Sequence, residues 1–180
     1  PGTYSEDNYG RFVDNVKAFD KKGNPLKIAK MDENSYTIYE ATKLAKLTYN
    51  VSDTFDTEGG AGFGESEDIF SPAGTNTHGF VGYFEGKSEI PYTVEVKHPA
   101  TLWGATSLID TNPSNEVDIF TAERYGALVD NPIMYSKPDY TEFNVEGMDI
   151  VISVYSPNGK YKAADITPET EKFMRAQKKF

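Results

Sequence analysis

The sequence has no cysteine and only two histidines, His78 and His98. The absence of cysteine excludes disulfides, thiolate zinc sites and a cysteine nucleophile, although it leaves the redox compartment open. The histidines do not form H-E-x-x-H, the helical spacing that places two imidazoles on one zinc ion. So few histidines do not support a Ser-His-acid triad either. We therefore expect no catalytic residues and no metal site in this segment.

Basic side chains are also scarce, because 18 Lys and Arg residues stand against 28 Asp and Glu residues and give a net charge of −10. Such a field repels phosphate backbones and anionic lipid head groups, so nucleic acid is not an expected partner. No apolar run approaches the length of a membrane span, and residues 1–4 do not resemble a signal peptide. We expect a soluble chain that is a piece of a longer protein.

Aromatic residues, in contrast, are abundant: the 180 residues include 12 tyrosines and 11 phenylalanines. Together with the many Thr, Val and Ile residues, they favour strands over helices. A chain of this length suits one domain, which buries roughly 70% of the surface of the unfolded chain. We predict a mainly β fold, an antiparallel β-sandwich or saddle-like sheet domain with one short internal helix and a C-terminal helix.

Apolar and polar residues alternate in several short segments, which predicts a meander of antiparallel strands with one dry and one wet face. Polar breaks at residues 20–25, 32–34 and 146–147 predict hairpin turns. Residues 79–84 are apolar in both alternations, which predicts a central strand buried on both faces. The glycine-rich acidic stretch 53–71 predicts a mobile loop. The other predicted strands cover residues 12–19, 26–28, 36–38, 45–51, 92–96 and the hairpin 143–154. Residues 102–109 predict either a further strand pair or one strand with a bend at Gly104.

Capping residues predict two helices. Thr121 is predicted to cap a short helix over residues 122–129. Near the C-terminus, Thr167 is predicted as an N-cap with Pro168 at the first helical position. This second helix carries an apolar stripe with no second helix to meet it, which predicts contact with a further part of the protein. The stripe consists of Phe173, Met174, Gln177 and Phe180.

One apolar run, residues 125–136, is interrupted by an acid just ahead of a proline. Pro132 biases Asn131 away from helical geometry, so Asp130 is predicted to stand at a sharp exit from packed structure. Its carboxylate either caps the turn, which is the commoner role, or belongs to a binding surface. The candidate residues for a substrate cleft or a domain interface are Asp130, Asn131, Pro132 and Tyr135.

Three other patterns have ordinary explanations. Residues 86–88 resemble the end of a phosphate-binding loop, but the first glycine of that motif is out of place, and a hairpin turn explains them better. Asp110, Asn112 and Ser114 have the alternate spacing of a calcium loop but lack its glycine and its bidentate acid. Tyrosines are typical of sugar-binding grooves, although packing in a core or on a sheet face is the commoner role for those at 36, 49, 83 and 92.

Four segments together carry a resemblance to a known family. They are PGTY at residues 1–4, YGRFVDNVKAFD at 9–20, KGNPL at 22–26 and YGALVDNPI at 125–133. In this order they resemble the N-terminal domain of the glycyl aminopeptidases, metallopeptidase family sixty-one. The resemblance runs across nearly the whole chain, and the ordered set is more specific than any single segment.

The resemblance implies a β-rich domain, similar to the saddle-like N-terminal domains of gluzincin aminopeptidases, that packs on a thermolysin-like catalytic domain. Because H-E-x-x-H is absent from these residues, zinc, its ligands and the general base are expected in that downstream domain. Residues 1–164 would form the N-terminal domain, and the helix over 165–180 would lead into the catalytic domain. For such a protein we favour a bacterial periplasm or cell envelope over the cytoplasm.

Three functions remain open at this point, one of them a calcium-stabilised module of the cell surface. In the first, the chain is a non-catalytic N-terminal domain that scaffolds its own catalytic domain and helps to shape the cleft for a peptide substrate. An acid such as Asp130 would then attract the free α-ammonium group of the substrate, because opposite charges interact more strongly in a partly desolvated cleft. In the second, it is a stand-alone β-sandwich module that binds carbohydrate or mediates adhesion.

Overall fold

The computed structural model describes residues 8–52, 77–112 and 114–179. These residues form short strands in five antiparallel sheets, one short internal helix and one long C-terminal helix. The strands are β1 (Val13–Asp20), β2 (Pro25–Leu26), β3 (Ile28–Lys30), β4 (Tyr36–Ile38), β5 (Leu44–Val51), β6 (Tyr92–Lys97), β7 (Trp103–Ala105), β8 (Val117–Ala122), β9 (Met134–Ser136), β10 (Tyr140–Val145) and β11 (Met148–Ser153). The helices are α1 (Tyr125–Val129) and α2 (Ala163–Gln177). This architecture confirms the predicted mainly β fold class.

The N-terminal sheet has the strand order β2-β1-β5, so β5 returns to lie beside β1. The predicted hairpin between β1 and β2 is confirmed, and its turn is closed by Asp20, whose Oδ1 accepts hydrogen bonds from the backbone N–H groups of Lys22 and Asn24, both at 2.8 Å. The predicted meander is wrong, because β3 and β4 pair only with each other among the described strands. The sequence fits either arrangement, since alternation does not specify which strands pair.

The core lies between two further sheets, β6 with β8 and β7 with β9. Its buried residues include Val96, Phe120, Ile133 and Tyr135. The sequence interpretation missed β8 and β9. In particular, Thr121 lies in β8 opposite Thr93 of β6, so the prediction that it caps a helix is wrong. The residues that the prediction assigned to one helix divide between the end of β8 and α1.

The predicted central strand at residues 79–84 is also wrong. Thr77–Gly79 forms one turn of 3-10 helix, and residues 80–84 join no sheet. About half of the side-chain surface of Tyr83 and of Phe84 is exposed, at 50% and 47%. Around Gly104 only β7 forms, and Ile109 is 78% exposed instead of lying in a strand.

The C-terminal part is a hairpin of β10 and β11 with α2 packed on it. The predicted hairpin is confirmed, and positive φ angles at Glu146 (49°) and Gly147 (87°) form the turn. Two consecutive residues with positive φ suit the twist of a tight hairpin. The predicted C-terminal helix forms as α2, but it begins at Ala163, not after Thr167, and Pro168 lies inside it. The predicted loop at 53–71 lies outside the described residues.

Candidate functional site

The chain leaves α1 through a short corner, residues 130–132, which we call the α1 corner. Asp130 is the C-cap of α1, and its backbone N–H donates to the carbonyl of Gly126 at 3.0 Å. The Asp130 side chain is exposed, and within the described ranges its carboxylate has no hydrogen bond and no ion pair. No contact among the described residues therefore shows this carboxylate capping the turn.

Asn131, the next residue, holds the corner in place through four hydrogen bonds. Its side-chain Nδ2 donates to the carbonyl of Ala127 at 2.7 Å, and its backbone N–H donates to the carbonyl of Leu128 at 3.3 Å. Its Oδ1 accepts from the hydroxyl of Ser107, and its carbonyl accepts from the hydroxyl of Thr77 at 3.3 Å. The backbone and side chain of this one residue thus bind three separate segments of the chain.

The four candidate residues from the sequence do not all lie at the surface. Asp130 and Pro132 are exposed, and Asn131 is half-buried. Beyond Pro132 the chain turns inward, because Ile133 and Tyr135 are core residues with 1% and 0% exposure. The structure therefore leaves Asp130, Asn131 and Pro132 together on the corner and places the Tyr135 side chain in the core of the domain.

Aromatic rings surround Tyr125 at the other end of α1. Its ring centroid lies 4.8 Å from that of Tyr83, 5.8 Å from that of Tyr92 and 6.1 Å from that of His78. Its hydroxyl donates to the carbonyl of Val81 at 2.8 Å. Burial raises the pKa of Tyr125, and the neighbouring hydroxyls of Tyr83 and Tyr92 raise it further. This aromatic cluster anchors the irregular segment after residue 79, which the sequence interpretation had placed in a strand.

His78 links the aromatic cluster to the α1 corner. Burial lowers the pKa of His78, whereas the negative charge of Asp130 acts in the opposite direction. The Asp130 carboxylate is therefore close enough to affect the imidazole electrostatically. Thr77, the residue before His78, donates to the carbonyl of Asn131, so this short segment contacts both the corner and the aromatic cluster.

A second polar group is buried behind the corner. The Tyr135 hydroxyl donates to Oδ2 of Asp118 at 2.6 Å, and Oδ1 of Asp118 lies 3.2 Å from Nε2 of His98. The latter contact is close but is not aligned as a hydrogen bond. The other ring nitrogen of His98 donates to the carbonyl of Pro99 at 3.1 Å. The sequence interpretation missed this group, although an acid inside the apolar run of residues 117–120 was a visible signal.

Among the described residues, no group of three or more His, Cys, Asp or Glu side chains is placed to hold a metal ion. In residues 110–114, whose spacing is similar to that of a calcium loop, Oδ1 of Asp110 accepts hydrogen bonds from the backbone N–H groups of Asn112 and Ile119. An exposed carboxylate beside aromatic faces attracts organic cations, because both the charge and the ring quadrupoles favour an ammonium group.

Comparison with solved structures bears on the fold. The chain is similar to a crystal structure of an aminopeptidase N family protein from Idiomarina loihiensis, with a TM-score of 0.76 and 21% sequence identity. The match covers 98% of this chain but 30% of that chain, so this chain spans less than a third of the other's length. At this identity the likeness establishes the fold. No curated protein matches the sequence.

No helix in the described ranges is long and apolar enough to cross a bilayer. The family comparison agrees with the resemblance carried by the four sequence segments. The model of the Peptidase M61 N-terminal domain matches residues 1–137. Because this match covers well over half of the 180 residues, the chain belongs to the Peptidase M61 N-terminal domain family.

Proposed function

We propose that this chain is the non-catalytic N-terminal domain of a zinc metalloaminopeptidase similar to the glycyl aminopeptidases. Its role is to scaffold the catalytic domain and to shape one side of the cleft for a peptide substrate. Two findings support the proposal: membership of a peptidase N-terminal domain family, and a structural neighbour most of whose chain lies outside the match. In this proposal, zinc, its ligands and the general base belong to the catalytic domain that follows.

The observation that carries the cleft part of the proposal is the state of Asp130. Its carboxylate is exposed and makes no hydrogen bond or ion pair within the described ranges, while the adjacent Asn131 is fixed by hydrogen bonds to three segments. A rigid backbone presenting an unneutralised charge is suited to bind a cation, because little ordering entropy is lost on binding. An aminopeptidase substrate offers such a cation in its free α-ammonium group.

The test measures hydrolysis of a glycyl substrate by the full-length enzyme with Asp130→Asn. We expect KM to rise about five- to thirty-fold with kcat little changed, the factor that corresponds to about 1–2 kcal/mol of lost charge interaction. Glu123→Gln is the matched control, because Glu123 is an exposed acid just before the other end of α1. Equal kinetics for Asp130→Asn and wild type would remove Asp130 from the cleft.

A further inference from the structure

The loop that joins β11 to α2, residues 154–162, is tied near both ends to one residue. The backbone N–H of Val154 donates to the carbonyl of Asp139 at 2.9 Å, and that of Ala163 donates to Oδ1 of Asp139 at 3.2 Å. Ala163 is the first residue of α2. A change in the length or the charge of this loop therefore acts directly on the segment that leads into the helix.

The tip of the loop is an exposed turn. The backbone N–H of Gly159 donates to the carbonyl of Ser156 at 2.9 Å, which closes a β-turn with Pro157 in its second position. Asn158 and Gly159 are both exposed, and Gly159 has a φ of 65°, a conformation that glycine adopts without strain. Solvent therefore reaches both the side-chain amide of Asn158 and the peptide bond that follows it.

Asparagine followed by glycine has a specific reactivity. The backbone nitrogen after an asparagine is placed to attack the side-chain carbon Cγ and to close a cyclic imide, and glycine has no Cβ to crowd this attack. The sequence contains 11 asparagines, and residue 158 is the single one that precedes glycine. Those at 24, 112 and 131 precede proline, whose nitrogen carries no proton to lose, and those at 15, 50 and 144 precede β-branched valine.

The structure adds a feature that the sequence does not show. Oδ1 of Asn158 accepts hydrogen bonds from the hydroxyl of Ser156 at 3.1 Å and from the backbone N–H of Lys160 at 3.0 Å. The Ser156 hydroxyl in turn accepts from the backbone N–H of Tyr161 at 3.2 Å, and linked hydrogen bonds of this kind strengthen one another. Donors held at a carbonyl oxygen stabilise the negative charge that it gains when a nucleophile adds to the carbon. The side-chain carbonyl of Asn158 is thus activated by its own loop.

We propose that Asn158 is a site of spontaneous deamidation in the folded protein. The nitrogen of Gly159 gives its proton to solvent and forms a bond to Cγ of Asn158, which places a negative charge on Oδ1. The carbonyl re-forms as the bond from Cγ to Nδ2 breaks, and Nδ2 takes a proton from solvent and leaves as ammonia. Water then opens the imide at either carbonyl carbon and leaves aspartate or isoaspartate. The hydrogen bond from Gly159 to Ser156 has to open first, and in an exposed turn its opening costs little because water replaces the partner.

Both products change the loop. Each adds a negative charge beside Lys160, and isoaspartate also lengthens the main chain by a methylene group. Because the loop is bound to Asp139 near both ends, the added length has to be taken up within the loop or at the start of α2. The reaction therefore marks molecules by age at the entry to the helix.

Mass spectrometry of the full-length protein tests the proposal. The protein is held folded in mildly alkaline buffer, and its peptides are measured over time. We expect the peptide that contains Asn158 to gain the mass of an NH2-to-OH exchange, and to split into two chromatographic forms, several-fold faster than the peptide that contains Asn34. Asn34 is the internal control: it is exposed and precedes a small residue, Ser35, but its Nδ2 is held by Oδ1 of Asn8 at 3.1 Å. Equal rates at the two positions, or no mass gain at Asn158, would overturn the proposal.

Ser156→Ala tests the activation by the loop. We expect deamidation of Asn158 to slow about three- to ten-fold in the folded protein, the effect of losing one hydrogen bond to the charged intermediate. In urea-unfolded protein the rate should not change, because the donors are in place only in the folded loop. Ser88→Ala is the matched control, since Ser88 lies outside the loop and its hydroxyl bonds to Glu89. A folded rate equal to that of wild type, or the same decrease in urea, contradicts the role of Ser156. These readouts do not depend on catalysis, so they stand apart from the Asp130 test.

Discussion

The hydroxyl of Tyr135 donates a 2.6 Å hydrogen bond to Oδ2 of Asp118, and both side chains are buried. The other carboxylate oxygen of Asp118 faces His98, whose Nδ1 must carry a proton because its partner, the Pro99 carbonyl, only accepts. The carboxylate therefore accepts a hydrogen bond from the tyrosine hydroxyl on one side and lies 3.2 Å from Nε2 of the imidazole, without an aligned hydrogen bond, on the other. A buried charge in this position is tolerated only while its partners remain.

Tyr135→Phe should destabilise the domain for this reason. The substitution keeps the ring in the core but removes the donor, so Oδ2 of Asp118 is left buried without its hydrogen bond. We expect a loss of about 1–3 kcal/mol in the free energy of unfolding, measured by urea denaturation. Tyr140→Phe is the control, because Tyr140 is 44% exposed and stacks on Trp103 through its ring. A loss no larger than that of the control would show that the buried bond contributes nothing.

The buried tyrosines predict a loss of stability at alkaline pH. Burial raises the pKa of Tyr135, with the hydrogen bond to Asp118 raising it further, and burial also raises the pKa of Tyr125. Above pH of about 10 the unfolded chain releases these protons while the folded chain keeps them. The unfolded state then binds fewer protons, so stability falls as pH rises, by up to about 1.4 kcal/mol per pH unit for each tyrosine.

Urea denaturation between pH 8 and 11 measures this dependence. Tyr125→Phe and Tyr135→Phe should each flatten the alkaline fall, because phenylalanine has no proton to lose. Tyr161→Phe should not, since Tyr161 is 55% exposed. If none of these substitutions alters the alkaline decrease in the free energy of unfolding, that decrease comes from the net charge of the chain and not from the buried hydroxyls.

Local patterns predicted the hairpins well because their signals lie in adjacent residues. The turns at Asp20 and at Glu146–Gly147 combine polar residues with a glycine, and both form as predicted. The C-terminal helix was also predicted, but its start was not. Thr167 looks like a cap in the sequence, whereas its hydroxyl bonds back to the carbonyl of Ala163 at 2.7 Å inside the helix.

Pairing across the sheets was not predictable from the same signals. Strand β8 was missed because Thr121 resembles a cap, and only its pairing with β6 determines its conformation. The stretch after Gly79 was assigned to a strand on its apolar character, but its polar backbone groups bond elsewhere. The carbonyls of Phe80 and Val81 accept from Tyr49 and Tyr125, which are distant in sequence.

The candidate site, too, was predictable only where local sequence patterns determine the structure. The proline-turned corner after α1 was predictable, because Pro132 restricts the residue before it. Which of the candidate residues would be exposed and which buried was not predictable, because the burial of Tyr135 depends on partners on β7 and β8. The buried group of His98, Asp118 and Tyr135 joins three segments whose proximity no local pattern shows.

Gly104 provides a direct test of how tightly that group is packed. A Cβ at this position would lie 2.9 Å from Oδ2 of Asp118 and 2.9 Å from the ring of Tyr135. Gly104→Ala should therefore destabilise the domain by about 1–3 kcal/mol through overpacking, as measured by urea denaturation. Gly82→Ala is the control, because a Cβ there meets open space. If neither substitution changed the free energy of unfolding, β7 would have to move away from the core at no cost, and the group would not be tightly packed.

Substitutions of Asp130 and of Asn131 should separate effects on function from effects on stability at the α1 corner. Asn131→Ala removes the side-chain hydrogen bonds to the Ala127 carbonyl and to the Ser107 hydroxyl. We expect a loss of about 1–3 kcal/mol in the free energy of unfolding, because half-buried polar groups lose their partners. Asp130→Ala should change that free energy by less than about 0.5 kcal/mol, since the carboxylate is exposed and makes no described contact.

Denaturation of both variants, run beside the hydrolysis assay in the full-length enzyme, distinguishes the two roles. A stable Asp130→Ala with a raised KM is the pattern of a charge presented to substrate. A destabilised Asp130→Ala would instead mean that the carboxylate supports the fold. Asn131→Ser is the matched variant for the neighbour: it keeps a short polar group but does not reach both partners, so its stability should fall between wild type and Asn131→Ala. If stability falls in the order wild type, Asn131→Ser, Asn131→Ala, the side-chain hydrogen bonds of Asn131 hold the corner rigid. A rigid corner keeps the entropic cost of binding a cation low.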